Sequence, residues 1–272
     1  MQTRLTVDPV RYARMTTDEL RAAFLVDTLF VPGRVELLYC EVERAVVGSA
    51  VPSEATLALP APAELRADFF CQRRELGILN IGSSGTVTVD GNPFPMANRD
   101  CLYIGRGARD VRFEGNGAAF YLISYPAHTT YPTTLARQRD AEPARLGSDA
   151  EANKRTIYKY IHPGGVKSCQ LVMGYTQLEA GSVWNTMPPH THPRRSEVYL
   201  YFDVSDNARV FHIMGAPQET RHLVVANRQA VISPLWSVHC ACGTSNYAFC
   251  WAMGGENQEF ADMDPAPLAA LK

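Results

Sequence analysis

The sequence has 272 residues, which at roughly 150 residues per domain allows one large domain or two small ones. Lys and Arg number 26 and Asp and Glu number 28, so the formal net charge is −2, and this balance argues against binding nucleic acid through bulk charge. Hydrophobic residues make up 46% of the chain and charged residues 20%, which excludes extended disorder, a collagen-like repeat and a coiled coil.

The cysteines and the N-terminal residues bear on the cellular compartment. The seven cysteines are odd in number, scattered, and mostly set in apolar segments, so we expect free thiols rather than a disulfide framework. The first residues lack the apolar core of a signal peptide. No window approaches the roughly 20 apolar residues that span a bilayer. These features predict a reduced, cytoplasmic protein that binds neither a membrane nor nucleic acid.

A helix is predicted near the N-terminus. Thr16 and Glu19 have the spacing of a capping box. Leu20, Ala23 and Phe24 then follow at helical spacing and form an apolar stripe. We therefore expect a helical segment within residues 1–26.

The rest of the chain is predicted to be β-rich. Short segments rich in Val, Ile, Tyr and Phe alternate with Gly, Pro, Asn or Asp about every ten residues, which is typical of an antiparallel sandwich or barrel. Clear examples of strands are residues 85–89, which run into turn residues 90–93, and residues 198–202 and 230–232. Residues 134–153 are polar and carry seven charges, so we expect a connector there.

This connector divides the chain into two β-rich halves that share a short echo. The string RRELGIL at residues 73–79 resembles RRSEVYL at residues 194–200. Together with the similar size of the halves, the echo favours a duplication. We predict two tandem β-barrels, over residues 27–150 and 151–272.

Side chains of the metal-binding types gather in the second half. His190 and His192 stand two residues apart, which puts both imidazoles on one face of an extended segment. Pro193 cannot continue a central ladder, so a bend there would return Glu197, at the start of the next strand, to the same centre. His239 follows a strand and a Ser-Pro turn signal. Three imidazoles and one carboxylate suit Zn²⁺, Mn²⁺, Fe²⁺ or Ni²⁺ better than Ca²⁺ or Mg²⁺.

The pattern H-x-H-x4-E followed by P-x4-H resembles the two metal motifs of the cupin superfamily, small β-barrels that hold a metal inside the barrel. Over almost its whole length the chain also resembles the 5-keto-4-deoxyuronate isomerases, zinc enzymes of pectin breakdown. Specific matching strings are RRELG at 73–77, AHTTYPT at 127–133, the block at 185–202, PQETRH at 217–222 and GENQ at 255–258.

The resemblance implies a mainly β bicupin, with two tandem cupin-like antiparallel barrels and a short N-terminal helical segment. The family's zinc ligands, for one ion per chain, fall on His190, His192, Glu197 and His239. The first barrel is expected to lack a metal, because Phe69 and Cys71 fall near the histidine positions when Glu75 is aligned with Glu197. The resemblance also implies a homo-oligomer, with a hexamer as the expected number.

The family's reaction is an aldose–ketose isomerisation that converts 5-dehydro-4-deoxy-D-glucuronate to 3-deoxy-D-glycero-2,5-hexodiulosonate. A base must move a proton between neighbouring carbons. Glu219 is the preferred candidate because it lies in a family-like string, and Glu197, acting as both ligand and base, is the alternative. Tyr199, on the same strand face as Glu197, is a candidate acid or hydrogen-bond donor, and it equally fits a barrel-lining aromatic.

A small anionic keto-sugar would also need a cation to bind its carboxylate. Candidates for substrate binding are Arg195, Arg221, Gln218, Arg155 and Lys159. Each of the four cations also fits an ordinary structural or surface role. The tryptophans, Trp184, Trp236 and Trp251, fit barrel packing better than sugar stacking.

Further candidates have a structural alternative that we favour. Cys240 and Cys242 lack zinc-knuckle spacing, and His212 and His222 fit core positions in β-like segments. Two other function classes stay open. One is a different metal cupin, such as a 5-deoxyglucuronate isomerase or an iron dioxygenase, and the other is a non-enzymatic sugar-binding bicupin. The intact four-ligand set argues against the latter.

Overall fold

The structure is a computed structural model that describes residues 1–272, and it is mainly β. The helices are α1 (Pro9–Tyr12) and α2 (Thr17–Phe24), with short 3-10 helices at Val42–Arg44, Ala63–Leu65, Phe70–Gln72, Gln138–Asp140 and Leu268–Ala270. None of the helices combines the length and the apolar character needed to cross a membrane.

The strands of the first part of the chain are β1 (Gln2–Arg4), β2 (Leu25–Val26), β3 (Arg34–Cys40), β4 (Val46–Val51), β5 (Leu57–Ala58), β6 (Arg74–Asn80), β7 (Gly85–Val89), β8 (Asn92–Met96), β9 (Cys101–Ile104), β10 (Val111–Glu114), β11 (Phe120–Pro126) and β12 (Thr134–Ala136). Those of the second part are β13 (Pro143–Leu146), β14 (Arg155–Ile161), β15 (Val172–Leu178), β16 (Trp184–Asn185), β17 (His190–Thr191), β18 (Arg195–Phe202), β19 (Val210–Ala216), β20 (Glu219–Val225), β21 (Gln229–Ser233), β22 (Val238–Gly243), β23 (Ala248–Gly255) and β24 (Asp264–Pro265).

The chain forms two compact units. The first comprises Met1–Arg4, Thr28–Glu142 and Lys159–Met173, and the second comprises Leu5–Asp27, Pro143–Tyr158 and Gly174–Lys272. These bounds are not those of the predicted division. The N-terminal helices lie in the second unit because the chain after α2 continues into β2, which pairs with β21.

Each unit contains most of one seven-stranded sheet and one four-stranded sheet, and the strand orders of the corresponding sheets match between the units. The seven-stranded sheets run β1-β3-β4-β11-β6-β9-β12 and β13-β14-β15-β23-β18-β21-β2, and the four-stranded sheets run β5-β10-β7-β8 and β16-β22-β19-β20. The echo seen in the sequence falls on β6 and β18, which hold the same place in their sheets. The predicted mainly β fold, with two similar sets of largely antiparallel sheets and a short N-terminal helical segment, is confirmed.

Local sequence signals explain several of these elements. The capping box of α2 forms as predicted, with the Thr16 amide donating to the Glu19 carboxylate at 2.7 Å and the Glu19 amide donating to the Thr16 hydroxyl at 3.3 Å. Asp90 and Gly91 have positive φ angles of 49° and 82°, which suit the two-residue turn that joins β7 to β8. This turn is shorter than expected, because residue 92 already belongs to β8.

The predicted connector, residues 134–153, contains two strands that the sequence analysis did not assign. β12 pairs with β9 and β13 pairs with β14, both antiparallel. A polar composition did not prevent strand formation, because an edge strand leaves one face and one row of backbone groups in contact with water.

A buried glutamate organises part of the first unit. Glu75 on β6 is fully buried, and its carboxylate accepts hydrogen bonds from the amides of Cys169, Gln170 and Leu171 at 2.7–2.9 Å and from the Tyr103 hydroxyl at 2.8 Å. Four donors on one carboxylate satisfy its acceptor sites without water. The segment around residue 170 is thereby tied to β6.

We expect Glu75→Gln to lower the free energy of unfolding by about 2–4 kcal/mol, because an amide NH₂ would face backbone N–H donors that then lose their acceptor. Urea unfolding measures the change. The matched control is Glu36→Gln, since Glu36 only faces Arg34 at 4.0 Å in a solvent-accessible pair and should change stability by less than about 1 kcal/mol. Equal midpoints for the two variants would contradict the role given to Glu75.

Candidate metal centre

Four side chains of the second unit converge on one point. β17 supplies His190, the following turn supplies His192, β18 supplies Glu197 and β22 supplies His239. Their ligand atoms all lie within 4.8 Å of one another. The chain turns at residues 193 and 194, where the Arg195 amide donates to the His192 carbonyl at 2.9 Å. The bend predicted at the proline therefore forms and brings the carboxylate back to the two histidines.

The contacts within this group bring nitrogen and oxygen lone pairs together. Oε2 of Glu197 lies 3.0 Å from Nε2 of His192 and 2.9 Å from Nε2 of His239. Nε2 of His239 also lies 3.1 Å from Nε2 of His190. One proton at most can sit between two such nitrogens, so this geometry suits a shared cation better than a network of ordinary hydrogen bonds.

The outer nitrogens of two imidazoles are held by backbone carbonyls. Nδ1 of His192 donates to the Arg195 carbonyl at 2.7 Å, and Nδ1 of His239 donates to the Ser237 carbonyl at 3.3 Å. A histidine that donates through Nδ1 keeps its Nε2 lone pair for an ion, and such outer contacts are typical of metal-binding histidines. The group could therefore hold a metal ion.

The electrostatics favour an ionised Glu197 and a neutral His190. Burial lowers the pKa of His192, but the contact with the Glu197 carboxylate outweighs it and raises that pKa. Burial raises the pKa of the Glu197 carboxyl, but the imidazoles of His239 and His192 outweigh it and hold that pKa well below its usual range. Burial, with His239 beside it, lowers the pKa of His190 to about 3. At neutral pH the carboxylate is ionised and His190 is neutral, as metal coordination demands.

A cavity of about 300 Å³ opens beside these side chains. Its walls are lined by Leu146, Arg155, Ile157, Thr176, Thr186, Met187, Pro188, His190, His192, Glu197, Tyr199, Phe249, Trp251, Met253, Phe260 and Met263. Most of these side chains are apolar, and a few polar groups are set among them. This combination is typical of a site for a small molecule.

Tyr199 is the polar group next to the four side chains along β18. Its hydroxyl lies 3.0 Å from the Thr186 hydroxyl, and its ring lies 5.5 Å from the His239 ring, measured between centroids. Burial raises the pKa of the Tyr199 phenol well above its ordinary value, and the charge of Glu197 adds to this shift. The phenol therefore stays protonated and can donate a hydrogen bond into the cavity.

A C-terminal strap, residues 257–264, covers part of the cavity. It contributes Phe260 and Met263 to the wall. The Arg194 guanidinium holds the strap through Asp262, at 2.8 Å from Nε, and through Asp264, at 3.2 Å from Nη2. Because Arg194 adjoins the turn between the histidines and Glu197, the strap is fixed to the same turn that forms the metal centre.

The structure does not bring every sequence-predicted residue to the cavity. Glu219 and Gln218 are exposed where β19 turns into β20, and neither lines the cavity. The Arg221 guanidinium donates to the carbonyls of Tyr12 and Met15 and so holds the N-terminal helices.

Arg195 is fully buried, and its Nη2 donates to the Asp262 carbonyl at 2.8 Å rather than entering the cavity wall. Lys159 is not a lining residue either. Among the cations named in the sequence analysis, the structure places Arg155 in the wall.

The remaining candidates take structural positions. Cys240 and Cys242 carry free thiols. His212 is fully buried with Nδ1 2.7 Å from the Tyr201 hydroxyl, as expected for a core histidine. His222 is exposed on β20, so the core position expected for it is wrong. Neither these cysteines nor these histidines join the group of four.

Sequence reasoning missed much of the cavity wall. Trp236 packs against Tyr12 and Phe24 as expected, but Trp251 lines the cavity, with Nε1 donating to the Thr176 hydroxyl at 3.1 Å. Tyr199 pairs with Trp251, and Glu197 pairs with Met253, on neighbouring strands. Large side chains alternate at residues 249, 251 and 253, and this alternation predicts that they share one face of a strand. The sequence alone does not show that this strand pairs with β18, so these residues could not be assigned to the cavity.

Comparison with known proteins places the chain in a family. A sequence profile of the KduI/IolB family matches residues 29–267. The chain belongs to the KduI/IolB family. It is 54% identical to a protein of Shouchella clausii and 49% identical to one of Bacillus subtilis, each named 4-deoxy-L-threo-5-hexosulose-uronate ketol-isomerase, and each alignment covers 100% of both chains. The resemblance stated from the sequence is confirmed.

The relatives' shared name and the similar folds fix two general properties. The protein is an enzyme, an intramolecular oxidoreductase of the ketol-isomerase type that interconverts an aldose and a ketose. Its fold is similar to that of an IolB-like protein from Salmonella typhimurium, with a TM-score of 0.72 at 12% identity over 89% of this chain and 96% of the other. An oxalate decarboxylase from Lactobacillus farciminis gives a TM-score of 0.55 at 10% identity, over 79% and 77% of the chains.

Proposed function

We propose that the protein is a zinc-dependent isomerase of uronate catabolism, including pectin breakdown, that converts 5-dehydro-4-deoxy-D-glucuronate to 3-deoxy-D-glycero-2,5-hexodiulosonate. The observation that carries this proposal is the buried convergence of three imidazoles and one carboxylate on the wall of a small-molecule cavity. The names of full-length relatives at about half identity support the same substrate.

The donor set fits one Zn²⁺ ion per chain, held by His190, His192, Glu197 and His239. A bound divalent ion would act as a Lewis acid that polarises the carbonyl oxygen and the adjacent hydroxyl oxygen of the substrate. It would thereby acidify the hydrogen on the hydroxyl-bearing carbon next to the carbonyl.

We infer that Glu197 is the base that moves this hydrogen. Its Oε2 faces His192 and His239, which leaves Oε1 to accept a proton from the hydroxyl-bearing carbon and return it to the former aldehyde carbon. The proton of the neighbouring hydroxyl passes to the former aldehyde oxygen, which completes the exchange of aldehyde for ketone. Glu219, preferred from the sequence, is exposed at a hairpin and does not line the cavity. A base must lie within hydrogen-bond reach of the proton it removes, so the geometry favours Glu197.

Tyr199 is placed to assist at the substrate oxygen. Its protonated phenol can donate a hydrogen bond to the oxygen that gains negative charge as the proton leaves carbon. The Thr186 hydroxyl, 3.0 Å from the phenol oxygen, fixes the orientation of that phenol. The apolar walls and the strap keep water away from the intermediate and so protect it from side reactions.

Two further properties are part of the proposal. All seven cysteines are free, which supports a reducing, cytoplasmic location. We also infer a homo-oligomer, with six copies as the expected number, which light scattering coupled to size-exclusion chromatography would test.

Removal of one imidazole tests the metal role. We expect His190→Ala to bind zinc at least about 100-fold more weakly, since even the loss of an outer hydrogen bond costs about 10- to 100-fold. Its isomerase turnover should fall by about 1,000-fold or more, because several kcal/mol of charge stabilisation are lost. Metal analysis and an assay on the unsaturated-uronate breakdown product measure both effects.

The matched control is His222→Ala, since His222 is an exposed histidine outside the group, and it should retain both zinc and turnover. Full turnover in His190→Ala would contradict the metal role. Stoichiometric iron with oxygen uptake by the wild-type protein would point instead to a dioxygenase.

Exchange of solvent deuterium into the substrate tests the acid–base roles. We expect Tyr199→Phe to slow turnover and exchange by about 100- to 1,000-fold, the usual loss when one hydrogen-bond donor to a developing negative oxygen is removed, with zinc content unchanged. Glu219→Gln should exchange deuterium at the wild-type rate because its side chain lies outside the cavity. Slow exchange in Glu219→Gln, with zinc retained, would return that residue to the mechanism in place of Glu197.

A further inference from the structure

One guanidinium faces the cavity. Arg155 opens β14, and both it and Ile157, two residues later on the same face of the strand, line the cavity wall. Leu146, the partner of Arg155 on β13, also lines the wall. Because β13 pairs with β14, the cavity wall here consists of the Arg155 cation and the aliphatic side chains of Leu146 and Ile157.

No carboxylate lies within ion-pair distance of this cation, although the charge of Glu151 acts on it from farther away. Nη1 of Arg155 donates to the Asn153 carbonyl at 2.8 Å, and the guanidinium forms no ion pair with a carboxylate. The side chain is half-buried, and burial lowers the pKa of its guanidinium, although an arginine stays charged at neutral pH. A partly desolvated charge without a counter-ion is costly, and an anionic ligand would offset that cost.

The other arginines near the site make their contacts outside the cavity, although Nε and Nη1 of the buried Arg195 have no hydrogen-bond partner. Arg194 is paired with Asp262 and Asp264. The guanidinium of Arg195 donates to the strap backbone, and that of Arg221 donates to the backbone of the N-terminal helices. None of the three lines the cavity. An anion that enters the cavity therefore meets Arg155 as its arginine partner.

We propose that Arg155 binds the carboxylate of an open-chain sugar acid whose carbonyl end lies at the group of His190, His192, Glu197 and His239. This inference rests on the proposed function and extends it to a residue that selects the substrate class. Nε and Nη2 remain available for a forked pair of charge-assisted hydrogen bonds. The cavity walls between Arg155 and the group of four are mostly apolar, so they provide few hydrogen bonds to the hydroxymethyl group that a neutral sugar carries in place of the carboxylate. The guanidinium therefore makes the enzyme specific for uronates.

A matched pair of non-isomerising ligands tests this specificity. L-Galactonate and galactitol are both open-chain and differ at one terminus, where galactonate carries a carboxylate and galactitol carries a hydroxymethyl group. Titration calorimetry on the metal-loaded full chain should show tighter binding of galactonate by the wild type. Arg155→Gln should weaken galactonate binding about 10- to 100-fold, the usual worth of a charge-assisted bond, and leave galactitol binding unchanged. Arg155→Lys should recover part of the loss.

The control is Arg145→Gln, since Arg145 is exposed on the neighbouring strand β13 and does not line the cavity. It should bind both ligands as the wild type does. With the isomerase substrate, Arg155→Gln should act mainly on KM, whereas a general structural defect would lower kcat and zinc content as well.

Either of two results would overturn the proposal: a wild-type protein without preference for galactonate over galactitol, or unchanged galactonate binding in Arg155→Gln. Failure of the proposed function is a separate result. A wild type that shows the expected ligand preference and its loss in Arg155→Gln, yet does not isomerise the uronate, would support Arg155 and contradict the reaction.

Discussion

The buried carboxylate of Glu197 is the constraint on which the arrangement of the candidate site depends. With only 4% of its surface exposed, an unpaired carboxylate there would cost several kcal/mol. His192 and His239 offset that cost by direct contact, and each is oriented by a backbone carbonyl on its outer nitrogen. The tight turn before β18, the pairing of β18 with its neighbours and the strap that Arg194 holds all serve to keep these partners together. The cavity and its chemistry follow from that arrangement.

The parts of the site that the sequence predicts are those set by short spacing. Two histidines two residues apart, a proline that forces a bend and a glutamate that opens the next strand are local features, and local geometry determines them. The placement of Glu219 and Arg221 depends instead on which strand lies at the edge of a sheet and on what covers it. Arg221 contacts the N-terminal helices more than 200 positions away in sequence. The strands inside residues 134–153 were missed for the same reason, because pairing with distant strands outweighed a polar composition.

The two units share one strand order, but the buried glutamates on their equivalent strands have different partners. β6 and β18 hold equivalent places, and each carries a buried glutamate near its start. Glu75 accepts hydrogen bonds from backbone amides and a tyrosine hydroxyl, so its charge stabilises a chain segment. Glu197 faces imidazoles, so its charge could contribute to binding a metal ion. The partners of the carboxylate therefore decide between a structural and a chemical role.

We propose that Glu197 and three histidines, rather than the nearby thiols, bind the catalytic metal. X-ray absorption at the zinc edge, on protein purified without added metal, tests it most directly. We expect nitrogen and oxygen ligands at about 2.0–2.2 Å with the outer-shell scattering of imidazole rings. A sulfur contribution at about 2.3 Å, which Cys240 or Cys242 would supply, or the absence of bound metal would contradict it.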